Sequence, residues 1–265
     1  MYETNYHRAA SIEEAAKLMG TVAEGKYLSG GMTLIPTMKQ RLAAPSDLVD
    51  LRHIAEMKGV TVDGRAVRIG AATTHEEVAT SAAIAAVCPA ICGLASHIGD
   101  PHVRHMGTIG GSIANNDPAA DYPAAMLALD AVIMTDRREL RAENFFTGLF
   151  ETALEEDEIV TAVRFEAPVK AAYQKFANPA SRYAMTGVFV ARRDDGVVRV
   201  AVTGAGSSGV FRHQGLETAL SANWSPAAVA NVTVDDSDLL SDIHASAAYR
   251  ANLVKVMAKR AVAAA

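Results

Sequence analysis

Apolar and polar positions alternate at helical spacing near the start of the chain. Ser11 with Glu14 three residues later is a capping box that opens a helix closing at Gly20. Lys26 to Ser29 reads as a short strand running into Gly30 and Gly31, Pro36 suits the first turn of a helix reaching about Arg41, and Asp47 to Leu51 reads as a buried strand. This βα-like order makes residues 1–52 a small α/β lobe. A hairpin follows, Gly59 to Val62 and Ala66 to Ile69 around Asp63-Gly64, and Thr74 with Glu77 forms a second capping box that starts a long alanine-rich helix.

Thr108 to Ala125 is small, polar and glycine-containing. Beyond it, Ala131 to Thr135 and Ile159 to Phe165 read as strands flanking an acidic loop, so residues 53–168 form a second, larger lobe. From about Lys170 the pattern turns to antiparallel strands, Thr186 to Ala191 and Val197 to Thr203 around Asp194-Asp195-Gly196, and a final helix starts near Ser246. Residues 169–265 are a third lobe.

Half of the residues are hydrophobic but only 6% are aromatic, which predicts a core of small and branched aliphatic side chains. The net charge of -5, with Lys and Arg scattered, excludes the basic stripe that a nucleic-acid partner requires. Cys88 and Cys92 are too few to hold a zinc ion or an iron-sulfur cluster, and helical spacing predicts two buried structural thiols of a reducing compartment. The start of the chain lacks a signal-peptide pattern, and the most apolar tract, Ser81 to Ala95, is too short to span a bilayer. A cytoplasmic protein is expected.

The candidate chemistry lies in two glycine loops. Leu28-Ser29-Gly30-Gly31-Met32-Thr33-Leu34-Ile35 sets adjacent glycines after a strand, and Thr108-Ile109-Gly110-Gly111-Ser112 repeats the arrangement. Adjacent glycines let backbone approach a ligand and permit positive φ, so successive amides can converge on one anion. Neither loop contains Lys or Arg, so a phosphate would rest on neutral amides and on the hydroxyls of Thr33, Thr108 and Ser112. Two such nests suit a pyrophosphate. Neither loop contains His, Cys or Tyr to anchor a cofactor covalently.

The stretches YLSGGMTLIPTMKQRLAAPSDLVDLR and GDPHVRHMGTIGGSIANNDPAADYPA resemble the two FAD loops of the medium subunit of aerobic carbon monoxide dehydrogenases, of the xanthine dehydrogenase (molybdenum hydroxylase) family. Ser241 to Arg250 is similar to the start of that family's last helix. The resemblance implies an α+β fold: a two-lobed FAD-binding fold of the PCMH type with a C-terminal lobe of antiparallel sheet and helices. It implies non-covalent FAD, with molybdopterin and a 2Fe-2S cluster on a large and a small partner subunit, in a dimer of heterotrimers. Electrons would pass from that cluster through FAD to quinone, NAD or another acceptor. The alternative is a stand-alone FAD oxidoreductase with its own substrate.

By position, Leu28 to Ile35 and Thr108 to Ser112 match the pyrophosphate loops, and Asp121 the acidic residue that holds the adenosine portion. Ile98 and Val160 match apolar cofactor contacts, Lys175 a lysine near the cofactor, and Tyr183 a tyrosine against the isoalloxazine ring. Arg182 stands where relatives carry an acidic residue, Phe176-Ala177-Asn178-Pro179 replaces a basic cluster, and Met32 replaces Gln or His. No catalytic acid or base is nominated, because the flavin carries the chemistry.

Gly204-Ala205-Gly206-Ser207-Ser208-Gly209 satisfies the dinucleotide GxGxxG pattern, but Val210 to His213 delay any helix and too little chain remains for further βα units. His97, His102 and His105 around Asp100 fit no metal-ligand spacing and read as a hydrogen-bonded loop. There is no GxSxG elbow, HExxH motif or Walker loop.

Overall fold

A computed structural model describes residues 1–265. The first segment is β1 (Asn5–Arg8), α1 (Ile12–Met19), β2 (Gly25–Leu28), α2 (Leu34–Lys39) and β3 (Asp47–Asp50). Its three strands form a parallel sheet in the order β1-β3-β2. Ser11 caps α1 by accepting the Glu14 amide, while Glu14 reaches back to the Ala10 amide rather than that of Ser11.

Next come β4 (Val60–Asp63), β5 (Ala66–Gly70), α3 (His75–Ala79), α4 (Ala82–Val87), α5 (Pro89–Ser96), α6 (Pro101–Met106), α7 (Ile109–Asn115) and α8 (Tyr122–Ala128). β6 (Val132–Thr135), β7 (Glu139–Arg141), α9 (Ala142–Phe145), β8 (Phe146–Gly148), β9 (Glu151–Thr152) and β10 (Val160–Glu166) follow. An antiparallel sheet runs β4-β5-β10-β6-β7, and β8-β9 is a separate hairpin.

One sequence expectation is corrected here. The long alanine-rich helix is three short ones. The Thr74-Glu77 capping box is present, but Ser81 re-caps the chain by accepting from Ile84, and Pro89 forces a new start after Cys88. The small-residue tract from Thr108 to Ala125 carries α7 and the start of α8, joined by a turn. Cys88 and Cys92 are both buried, with Cys88 at the break between helices and its thiol pushed up to about 11 by burial.

The last segment holds β11 (Lys170–Ala177), β12 (Ala184–Arg192), β13 (Val198–Thr203), β14 (Phe211–Arg212), α10 (Gln214–Ala222), α11 (Pro226–Ala230) and α12 (Ala247–Ala264). Its antiparallel sheet runs β11-β12-β13-β14, and α12, capped by Ser246, packs on β12 and β11. One continuous core joins the first two sheets, from Ala9, Val49 and Ile54 to Ile69, Ile113 and Val163. A second core beneath α12 contains Val188, Val200, Leu216 and Met257. The dominance of Ala, Val, Ile and Leu in both agrees with the low aromatic content. No helix is long and apolar enough to cross a membrane.

Candidate functional site

A cleft of about 630 Å³ opens between the first two sheets and meets the third at residues 181–183. Of the positions singled out above, Leu28 to Leu34, Ile98, Thr108, Gly110, Gly111, Ser112, Asp121, Val160 and Tyr183 all line it. Three do not. Ile35 packs against the small apolar cluster of Leu28, Met38 and Leu48, Ile109 is fully buried, and Lys175 reaches the site only through Asp121.

The first glycine loop is an array of unspent donors. The backbone amides of Gly30, Gly31, Met32, Thr33 and Leu34 donate to no protein acceptor, and the Thr33 side chain does not cap α2. Gly31 has φ +72°, the left-handed region that glycine adopts without penalty. Gly30 has a different reason to be glycine: a Cβ there would collide with the Met106 carbonyl on the opposite wall.

The second loop is built differently, and the expectation of a second amide nest is corrected. Thr108 is the N-cap of α7, and the first-turn amides are taken. Ile109 N donates to Thr73 O (3.1 Å), Gly110 N to Ala71 O (2.9 Å), Gly111 N to Thr108 Oγ1 (3.1 Å) and Ser112 N to Thr108 O (3.0 Å). A Cβ on Gly110 would stand 2.7 Å from Ala71 O, whereas one on Gly111 meets only Thr108 Oγ1 at 3.1 Å and Ser29 at 3.5 Å, so it faces the cleft. The hydroxyls of Ser29 and Thr108 lie 2.7 Å apart and join the two loops.

Asp121 is almost fully buried at the start of α8. Its carboxylate accepts from the Tyr173 hydroxyl and from Lys175 Nζ at 3.1 Å. Burial raises its pKa, opposed by the Lys175 ammonium and the Tyr173 hydrogen bond. At the mouth, Tyr183 is 49% exposed, its phenol raised by burial and by Asp117 and Asp121. Arg182 lines the same mouth with φ +63°, donating to Gly99 O at 3.3 Å. Phe176 turns away from it and meets Tyr249 edge-on.

Sequence reasoning missed His75 and Tyr173. Tyr173 lies two residues before Lys175 on β11, so a strand reading of 170–177 would have put both on one face. His75 lines the cleft, 5% exposed, with its ring 5.4 Å from that of Tyr122 and Nδ1 without a partner. Burial, aided by Arg104, lowers its pKa to about 4. No local signal marks it. The His97 and His105 rings bond the carbonyls of Gly93 and Pro101 in their own helices, and Asp100 caps α6. The GxGxxG segment is the turn between β13 and β14, and the next helix starts only after His213.

Comparisons with known proteins complete the picture. Residues 2–168 match the model of the FAD binding domain in molybdopterin dehydrogenase. The chain is 33% identical to the carbon monoxide dehydrogenase medium chain of Hydrogenophaga pseudoflava over 98% of its length and 96% of that chain's. It is 34% identical to the nicotine 6-hydroxylase medium subunit of Paenarthrobacter nicotinovorans, covering 97% and 95%. A solved structure of carbon monoxide dehydrogenase from Hydrogenophaga pseudoflava superposes with a TM-score of 0.87 at 31% identity, over all of this chain and 97% of that one. In sequence and fold, this chain belongs to the family of FAD-binding domains of molybdopterin dehydrogenases.

Proposed function

We propose that the cleft holds FAD without a covalent link and that the chain is the electron-transfer subunit of a molybdenum hydroxylase. The observation that carries this reading is the run of unspent amides from Gly30 to Leu34 on the wall of a cleft within the ~300–1,000 Å³ usual for cofactor sites. The donor set fits the group. Neutral amides and the hydroxyls of Thr33 and Ser112 suit a diphosphate, the Asp121 carboxylate suits sugar hydroxyls, and Ile98, Leu154 and Val160 suit flat rings.

When bound, FAD supplies the exchange between two-electron and one-electron carriers. The chain's own residues bind and orient it. Residues 1–52 and 53–168 act as the two walls, and residues 169–265 close the cleft by bringing Lys175 to Asp121 and Tyr183 to the mouth. Tyr183, planar and half-exposed, covers the opening and excludes water until an acceptor displaces it. The partners are a large molybdopterin subunit and a small subunit with a 2Fe-2S cluster, and the acceptor is a quinone, NAD or another oxidant. The assembly we propose is a dimer of heterotrimers in the cytoplasm.

The test is purification of the chain alone and with its co-purifying partners. The isolated chain should carry flavin absorbance that dithionite bleaches and denaturation releases, and it should oxidise neither carbon monoxide, aldehydes nor N-heterocycles. Turnover by the isolated chain at the rate of the complex would overturn the electron-transfer reading, and flavin left on the precipitated protein would overturn the non-covalent one.

A further inference from the structure

Three residues of the C-terminal sheet stand side by side on one rung: Lys175 on β11 pairs with Gly187 on β12, which pairs with Thr203 on β13. Directly opposed residues share a face, and here that face meets the segment leading into α8. Lys175 Nζ reaches the Asp121 carboxylate. Thr203, fully buried, donates its hydroxyl between Ala120 O (2.6 Å) and Pro118 O (3.1 Å), and the adjacent Gly204 amide donates to Pro118 O at 2.8 Å. Gly187, between them, has no side chain. A Cβ there would collide with the Tyr173 hydroxyl, so its absence leaves the room in which that hydroxyl bonds Asp121.

We infer that the Lys175–Gly187–Thr203 rung is a positioning device that presents the Asp121 carboxylate to a sugar hydroxyl of the bound dinucleotide. The inference rests on the flavin-binding reading above and deepens it. A carboxylate has about four lone-pair positions, and Tyr173 and Lys175 do not fill them, leaving acceptor capacity on a residue that lines the cleft. The negative charge suits hydroxyl donors and opposes phosphate, which separates this end of the cleft from the amide array at Gly30 to Leu34. The hydroxyls belong either to the ribose of the adenylyl half or to the ribityl chain of the flavin half. This also gives the Gly204–Gly209 turn a role: its first amide and the threonine before it hold the 118–121 segment rather than a phosphate.

The test uses the full chain stripped of flavin, with Gly187→Ala, Thr203→Val and Thr203→Ser. Affinities are measured for FAD, for FMN, which has only the ribityl chain, and for ADP, which has only the ribose, the last two by competition with FAD. Gly187→Ala and Thr203→Val should each weaken FAD about tenfold, the scale of one charge-assisted hydrogen bond misplaced. The loss should recur with one half-ligand and not the other, and Thr203→Ser should restore it. Unchanged FAD affinity in a folded Thr203→Val chain, or equal weakening of FMN and ADP, would overturn the inference while leaving flavin binding intact. An unaltered chain that binds no flavin would overturn the functional reading itself and this inference with it.

Discussion

The two glycine pairs look alike in sequence and do opposite things in the fold. Around Gly30-Gly31 the backbone keeps five successive amides free, on a loop whose left-handed residue prevents a regular helical start. Around Gly110-Gly111 every first-turn amide is bonded to protein, and Gly110 lets α7 lie against the Ala71 backbone. The same dipeptide therefore leaves amides open to the cleft in one place and packs a helix against backbone in the other. A glycine pair is evidence of close approach, and only the hydrogen-bond inventory shows what approaches.

The comparison is broken most forcefully at Gly110. Gly110→Val would drive a branched side chain into Ala71, whose carbonyl already lies 2.7 Å from the position of a Cβ, and strong overpacking against backbone costs about 3 kcal/mol or more. The expected outcome is loss of folded protein, read by thermal denaturation of the flavin-free chain. A folded variant with near-normal stability would show that the second loop is not a packing element.

Acid should act on the same side of the cleft. His75 N donates to Gly107 O, and its ring lies against Gly107 just before the second loop. Its folded pKa of about 4 is below the ordinary ~6.5, so the unfolded chain takes up the proton first. The stability that the neutral ring provides is fully present above about pH 6.5 and is lost as pH falls towards 4, by about 3 kcal/mol. Denaturant melts across that window should show the decline, and His75→Gln should flatten it. A parallel slope in that variant would assign the acid sensitivity elsewhere.

Gly31→Ala tests the other loop. A Cβ at φ +72° costs about 1–2 kcal/mol and pulls the neighbouring amides out of line. Because those amides hold nothing in the protein, the stability of the flavin-free chain should fall by no more than that strain, while FAD affinity falls at least tenfold. Equal affinity in the two proteins would remove the amide array from the site.

How much of this was legible depends on the range of the interaction. Strand-then-glycine at Leu28 to Gly31, the Asp63-Gly64 hairpin and the Ser246 cap are local patterns, and the fold shows each. The helix at Ile109 to Asn115 was hidden because two glycines oppose helix propensity. Its Thr108 cap and its bonds to Ala71 and Thr73 come from packing that no window of sequence contains. The break at Cys88-Pro89 was in plain view and should have ended the alanine-rich helix there. Ile98, Val160, Lys175 and Tyr183 were named through family resemblance, since nothing in their spacing ties them to the Gly30-Gly31 loop. The Asp121–Lys175 pair, 54 residues apart, is visible only once β11 lies against α8.

The smallest expected effect lies at the seam between the loops. Thr108 Oγ1 already accepts the Gly111 amide as the cap of α7, and the remaining bond of that hydroxyl is to Ser29, 2.7 Å away at the start of the first glycine loop. Ser29→Ala removes this one link and leaves the cap in place, at a cost of about 1 kcal/mol, the net value of a single neutral hydrogen bond. Thr108→Val removes the cap as well and should cost about 1 kcal/mol more. If the first loop belongs to the ligand and the second to the fold, Ser29→Ala should appear mainly as faster FAD release, because the loop it frees has few other ties. Thr108→Val should appear mainly as a lower melting temperature. Stopped-flow release of FAD and thermal melts on the two variants separate these effects, and a Ser29→Ala chain that melts earlier yet releases FAD at the original rate would reverse the assignment of the two loops.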